Sequence, residues 1–352
     1  MSQSMQENRE LQPLLDKLYS GQSATRIEAK QLVSSIITGE MSEVAMAGML
    51  IAMKMRGETI DEISGAADAL RLAAKPFPSV NNKTRKHGIT DIVGTGGDGH
   101  NTINISTTAA FIAAASGANV AKHGNRSVSS KSGSSDLLAQ LGIDLTMAPE
   151  MARDCLDKFG LCFLFAPHYH GGVRHAVPVR QALKTRTLFN VLGPLINPSH
   201  PDTILLGVYS AALVQPIAEV LKALGMKRAM VVHGSGLDEV AIHGDTLVCE
   251  LNNNEITQYT LTPETLGVVR DQLTALEGGT PEENAAFTRA ILQGKGQSAH
   301  QHAVAVNAGC ALYIAGVCDS PKSGTVLALD TITNGKAYSL LEQLANASTA
   351  AK

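Results

Sequence analysis

No stretch of 18 apolar residues occurs anywhere in this 352-residue chain, so no membrane span is expected. Charge is scarce as well. Asp, Glu, Lys and Arg make up 17% of the residues against 44% for the hydrophobic set, which reads as a well-packed globular protein. The net charge of −3 lacks the basic excess that general binding of nucleic acid requires. Anion binding must then come from local basic residues. The N-terminal MSQSMQENRELQ is too polar for a signal peptide. Cysteine pairing is missing too. Cys155, Cys162, Cys249, Cys310 and Cys318 are odd in number and none shows CxxC spacing. Free thiols in a reducing cytoplasm are expected, and a zinc site is not.

What is present divides by pattern. The length allows one large core, or a large domain with a small one. Residues 8–74 read as helices. Leu11, Leu14, Leu15 and Leu18 recur at helical spacing, and a second helix runs from about Ala24 to Ile37 before Gly39. A third spans Ser42 to Met55, with Val44, Ala47, Ile51 and Met55 on one apolar face. A fourth starts at Thr59, where Thr59 and Glu62 have capping-box spacing, and ends before Pro76. The stretch KPFPSVNNKTRKH at 75–87 reads as a linker.

Strand and helix signals then alternate. Asp91–Val93 and Ala118–Ala121 read as buried strands, with helices opening near Thr107 and Ser134. Strand, loop, helix, repeated, implies neighbouring parallel strands with both loops on one sheet edge. Leu161–Phe165, Thr203–Tyr209 and Arg228–Val232 read as further strands, and Leu247–Leu251 with Ile256–Leu261 as a hairpin. From about Pro281 the chain is mostly helical. The expected fold class is α/β: a mostly parallel central sheet flanked by helices, plus a small all-helical domain.

Asp91 to Asp136 organises the rest. In Gly94-Thr95-Gly96-Gly97-Asp98, glycine lets backbone N–H groups approach an anion closely. The helix start that follows adds a favourable field. Gly94, Gly96 and Gly99 match GxGxxG. Against a dinucleotide, His100-Asn101-Thr102 delays the helix, and no acidic residue between Gly99 and Ser135 can hold a ribose hydroxyl. The absent Gly-Lys-Ser/Thr excludes a Walker A loop.

Asn104-Ile105-Ser106-Thr107 has helix-cap residue types, and the Ser106 hydroxyl suits a hard cation. Lys122 to Gly133 reads as a polar loop. Its Lys122-His123-Gly124-Asn125-Arg126-Ser127-Val128-Ser129-Ser130 gathers cations, an amide and hydroxyls, and Ser134 adds one more hydroxyl. Asp238-Glu239 alone read as solvated acids; opposite a phosphate site they suit Mg2+. Arg180 can grip a planar carboxylate, although surface arginines are far commoner than such clamps.

GTGGD at 94–98, NxST at 104–107, KHGNRxxSS at 122–130, Ser134, RTLFNVLGPLINP at 186–198 and Asp238-Glu239 occur together in this order. On these motifs the chain resembles the anthranilate phosphoribosyltransferase family of tryptophan biosynthesis over nearly its whole length. The resemblance implies a helical domain of residues 1–80 that also takes in about 175–198, and a large α/β domain of 81–174 and 199–352. It implies anthranilate and 5-phosphoribosyl 1-diphosphate as substrates, Mg2+ as cofactor, and a homodimer through the helical domains.

Residue by residue, it implies that Gly94, Gly97, Asp98 and Thr102 line the phosphoribosyl diphosphate site. Asn104, Ile105, Ser106 and Thr107 would contact its phosphates, Ser106 also near Mg2+. Lys122, His123, Gly124, Asn125, Arg126, Ser127, Val128, Ser129 and Ser130 would wrap the sugar and diphosphate, joined by Ser134. Asp238 and Glu239 would hold metal; Gly94, Asn125 and Arg180 would contact anthranilate. No general base is assigned, and His123 reads as structural. His170-Gly171-Gly172-Val173 departs from the family's common His-Pro-Ala-Met. The nearest alternative is a pyrimidine nucleoside phosphorylase; the alternative of another class is an idle relative that binds nucleic acid.

Overall fold

The computed structural model describes residues 3–79, 86–125 and 131–349. Four helices open the chain: α1 Gln3–Tyr19, α2 Arg26–Thr38, α3 Glu43–Arg56 and α4 Ile60–Leu72. Local chemistry sets their ends. Thr25 with Glu28 and Thr59 with Glu62 form capping boxes, Ser42 caps α3, and Gly39 closes α2 at a left-handed φ of 81°. Glu62 is buried. It accepts hydrogen bonds from Ala24 N and Thr59 N at 2.9 Å each and pairs with Arg56. One carboxylate thus joins the start of α2, the end of α3 and the start of α4.

Of the apolar face read on α3, Ala47 and Ile51 are half-buried but Val44 and Met55 at its ends point outward. Val44 is 84% exposed and Met55 79%, whereas Met46, Met49, Leu50 and Met53 are buried. This helix is apolar nearly all round, so spacing alone does not choose the inward side.

The α/β part begins with β1 Ile89–Gly94, α5 Ile105–Ala115, β2 Asn119–Gly124, α6 Ser134–Gln140, α7 Pro149–Phe159 and β3 Leu161–Phe165. β2 runs on through Gly124, so Lys122 and His123 are strand residues and not the opening of a loop. A buried lysine interrupts the apolar run by which a strand is read. Short helices α8 Ala166–Tyr169, α9 Val177–Leu183 and α10 Phe189–Leu192 follow. Next come β4 Thr203–Gly207, α11 Val214–Ala223, β5 Arg228–Gly234 and the hairpin β6 Thr246–Asn252 with β7 Glu255–Leu261. The chain closes with α12 Pro263–Leu266, α13 Pro281–Leu292, α14 Ser298–Ile314, α15 Pro321–Thr333 and α16 Lys336–Thr349.

The sheet has seven strands in the order β3-β2-β1-β4-β5-β6-β7. It is parallel from β3 to β5 and antiparallel beyond. Helices flank it, as the α/β reading requires. Period-two alternation feeds a core on each face. Leu205, Met230 and Val232 join α5 and α14 in one. Ile204, Leu206, Ala229 and Val231 join α11, the four opening helices, and Ala176, Val179 and Phe189 in the other. Among the described residues no helix is long and apolar enough to cross a membrane. Chain order reverses between β1 and β4, which pair through Gly94 and Gly207. A crevice for ligand forms at such a switch point, outside the carboxyl ends of the strands.

Candidate active site

The glycine loop is built onto these two strand ends. Thr95 N donates to Gly207 O at 2.9 Å, and Tyr209 N to Thr95 Oγ1 at 3.1 Å. Gly96, Gly97 and Gly99 hold φ of 69°, 77° and 87°, where a side chain would be strained. Gly94 and Gly207 are glycine for a different reason. A Cβ on Gly207 would lie 1.6 Å from Asp238 O, and one on Gly94 2.3 Å from Asp238 Oδ2. The segment carrying the acid pair therefore rests directly on the strands. Asp238 Oδ2 accepts from Gly96 N at 2.6 Å, and Asp98 Oδ1 from His100 N at 3.0 Å.

Glu239 serves the start of α5, where Ser106 N donates to its Oε1 at 3.1 Å. Asn104 makes no side-chain cap there. Lys122, 3% exposed, donates from Nζ to Ser106 Oγ at 3.3 Å and to Ile92 O. Burial, with the charge of Asp98, pushes Asp238 up to about 7. Burial, with the charge of Asp238, pushes Glu239 up to about 8, against the pull of Lys122. Burial also raises Asp91 to about 6, opposed by Lys122 and by a hydrogen bond from Asn197.

Acids displaced this far by desolvation are stabilised by an added cation. The oxygen donors of Asp238, Glu239 and Ser106 suit a hard one. Among the described residues, no group of three or more His, Cys, Asp or Glu could hold a metal by itself. Mg2+ uses one or two carboxylates together with waters and substrate phosphates, so this donor set fits Mg2+ beside a phosphate ligand.

The second loop leaves β2 at Gly124. Asn125 O accepts from Ser134 Oγ at 3.0 Å and from Ser135 N at 3.3 Å, so the Ser134 proton serves the loop itself. Asn104 is held by protein partners: Nδ2 donates to Ser132 O at 3.1 Å, and Oδ1 accepts from Asn284 at 2.8 Å. Ile105 and Thr107 are buried, and Thr102 bridges to Glu277. Arg126, Ser127, Val128, Ser129 and Ser130 lie outside the described residues. His123 is buried, its Nδ1 3.1 Å from Gly193 O. Burial and the neighbouring charge of His170 push it down to about 3, so it is a neutral imidazole.

Arg180 is half-buried over the Phe189 ring at 5.5 Å and has no acidic partner among the described residues. Burial alone lowers its pKa. Arg186, which the sequence reading left without a role, donates to Gly97 O and stacks on Tyr209 at 4.1 Å. It ties the irregular segment carrying Arg180 to the glycine loop. Asn197, equally overlooked, donates to Asp91 Oδ2 at 2.7 Å and to Ala121 O at 2.8 Å. Both stand in a motif quoted above, but nothing in their spacing names partners so distant in sequence.

Comparison with known proteins agrees. Residues 86–338 match the model of the glycosyl transferase family a/b domain, and residues 12–74 that of its helical bundle domain. The anthranilate phosphoribosyltransferase of Shewanella loihica is 73% identical over 339 residues, spanning 96% of this chain and 97% of that relative. The chain belongs to the anthranilate phosphoribosyltransferase family. It is thus a pentosyltransferase. The crystal structure of the family member from Thermus thermophilus has a TM-score of 0.89 at 44% identity, covering 95% of this chain and 98% of that one. The family member from Saccharomyces cerevisiae, in complex with PRPP and Mg, has a TM-score of 0.88 at 27% identity over 97% and 98%.

Proposed function

We infer that this chain transfers the phosphoribosyl group of 5-phosphoribosyl 1-diphosphate to the amine of anthranilate, releasing diphosphate, in tryptophan biosynthesis. One observation carries the reading of the site. The buried Asp238–Glu239 pair is locked to the glycine loop and to the start of α5 at the switch point. Such a pair is completed by a cation, and the cation by a polyanion.

Gly94, Gly97, Asp98 and Thr102 are assigned to phosphoribosyl diphosphate, together with Asn104–Thr107, Lys122–Ser130 and Ser134. Arg180 receives the anthranilate carboxylate, with Gly94 and Asn125 alongside; its lack of an acidic partner among the described residues supports this. Asp238, Glu239 and Ser106 would hold Mg2+, which when bound neutralises charge on the departing diphosphate.

The amine of anthranilate is neutral near pH 7 and attacks ribose C1 with its own lone pair. The bond from C1 to the diphosphate oxygen breaks as the C–N bond forms, with strong oxocarbenium character, and the acidic nitrogen so formed then gives up its proton to the departing diphosphate or to water. The chain supplies position and charge stabilisation and no general base. Lys122 orients the Ser106 hydroxyl and offsets the acids.

A homodimer through the helical domain is part of the proposal, supported by the exposed apolar stripe of Val44 and Met55. So is a helical domain of 1–80 with about 175–198, supported by their common core. A cytoplasmic location accords with five free cysteines. The test is the loss of anthranilate fluorescence in the presence of 5-phosphoribosyl 1-diphosphate, with and without Mg2+. Consumption that stops on chelation is expected. Turnover of thymidine with phosphate, and none of anthranilate, would replace this reading with a nucleoside phosphorylase.

A further inference from the structure

We propose that Asn284 on α13 is a positioning residue for the second substrate loop, acting through the amide of Asn104. This rests on the phosphoribosyl diphosphate reading above. Asn284 is 1% exposed and lies far along the chain from both loops. Gly279 N donates to Asn284 Oδ1 at 2.8 Å, which leaves Nδ2 to donate to Asn104 Oδ1 at 2.8 Å. With Oδ1 of Asn104 so engaged, its Nδ2 is turned to Ser132 O at 3.1 Å. Ser132 Oγ returns a hydrogen bond to the same Oδ1 at 3.3 Å.

The polarity of this chain of bonds is fixed at its origin, because a backbone N–H can only donate. Its far end is Ser132, between the Arg126–Ser130 stretch and Ser134. A second strap runs beside it. Asn101 Nδ2 donates to Gly278 O at 2.7 Å, and Asn101 Oδ1 accepts from Lys131 N at 3.3 Å. The segment entering α13 therefore holds the approach to α5 and the returning limb of the second loop together.

Thr288, one turn further along α13, provides a control. Its hydroxyl meets that of Thr108 at 3.0 Å within the same helix pair. Asn284→Ala and Asn284→Asp are each expected to raise KM for 5-phosphoribosyl 1-diphosphate at least ~10-fold, with KM for anthranilate changed less than ~2-fold. The aspartate variant keeps an acceptor for Gly279 N but offers no donor to Asn104, so it tests bond direction and not packing. Thr288→Val loosens the same helices and leaves both KM values in place. If the alanine variant does not fold, the other two decide. An unchanged phosphoribosyl diphosphate KM in Asn284→Asp, or an equal rise in Thr288→Val, overturns the role. If 5-phosphoribosyl 1-diphosphate with Mg2+ fails to protect the wild-type chain from thermal unfolding, the loop assignment itself falls.

Discussion

Arg180 holds a guanidinium partly out of water with no acid paired to it among the described residues. A charged hydrogen-bond pair with an incoming carboxylate contributes about 2 kcal/mol, so Arg180→Ala should raise KM for anthranilate roughly 30-fold. Its KM for the sugar diphosphate should barely move. Asp238→Ala should show the reverse pattern in steady-state kinetics, with the Mg2+ requirement altered. Equal effects of both variants on both substrates would end that division of labour. His170 sets a pH dependence. Burial pushes it down to about 4, and its ring lies 5.2 Å from that of His123. The unfolded chain, with imidazoles near pKa ~6.5, binds protons that the folded chain refuses. Stability from this pair is full above about pH 6.5 and is lost as pH falls through about 4 for His170 and on towards about 3 for His123. His170→Gln should flatten the fall in melting temperature over that window; an unaltered slope would refute it. At this scale the sequence was most opaque. Asp238, Glu239 and Lys122 were legible as chemistry, but their burial was not. Asn197 and Asn284 carry no local sign, because what makes them matter is a partner brought near only by folding.

The ends of β1 and β4 decide the geometry of the site. Gly207→Ala would drive a methyl group into Asp238 O, with 1.6 Å between them, and neither group is the end of a flexible side chain. We expect a loss of at least about 3 kcal/mol in denaturant unfolding, among the larger single-residue effects. A normal unfolding midpoint would mean that the Asp238 segment moves aside freely. Elements are legible where short apolar runs are bounded by turn or cap residues. The parallel β1–β2 pair, the hairpin and the capping box at Thr59 are where alternation and turn chemistry put them. The extent of β2 was missed because Lys122 is a charge inside a strand. The inward face of α3 was missed because methionine and alanine surround that helix.

Across the whole molecule, that misread face becomes informative. Val44 and Met55 touch little of their own chain, so Val44→Glu with Met55→Glu should leave the fold intact. Sedimentation should then show monomer for the double variant and dimer for the wild type; a wild-type monomer would dismiss the interface. The opening helices meet the α/β part through α11, which lies on β5 and β6. β4 and β5 send alternate side chains into both cores, and Arg26 Nη1 donates to Ala223 O at the end of α11 at 2.8 Å. The amino-terminal bundle is accordingly upholstery for α11, which in turn covers β5 and β6. A gene trimmed to begin at β1 would yield a product with one greasy flank laid bare. Chimeras between relatives would have to trade the bundle and α11 as a single piece.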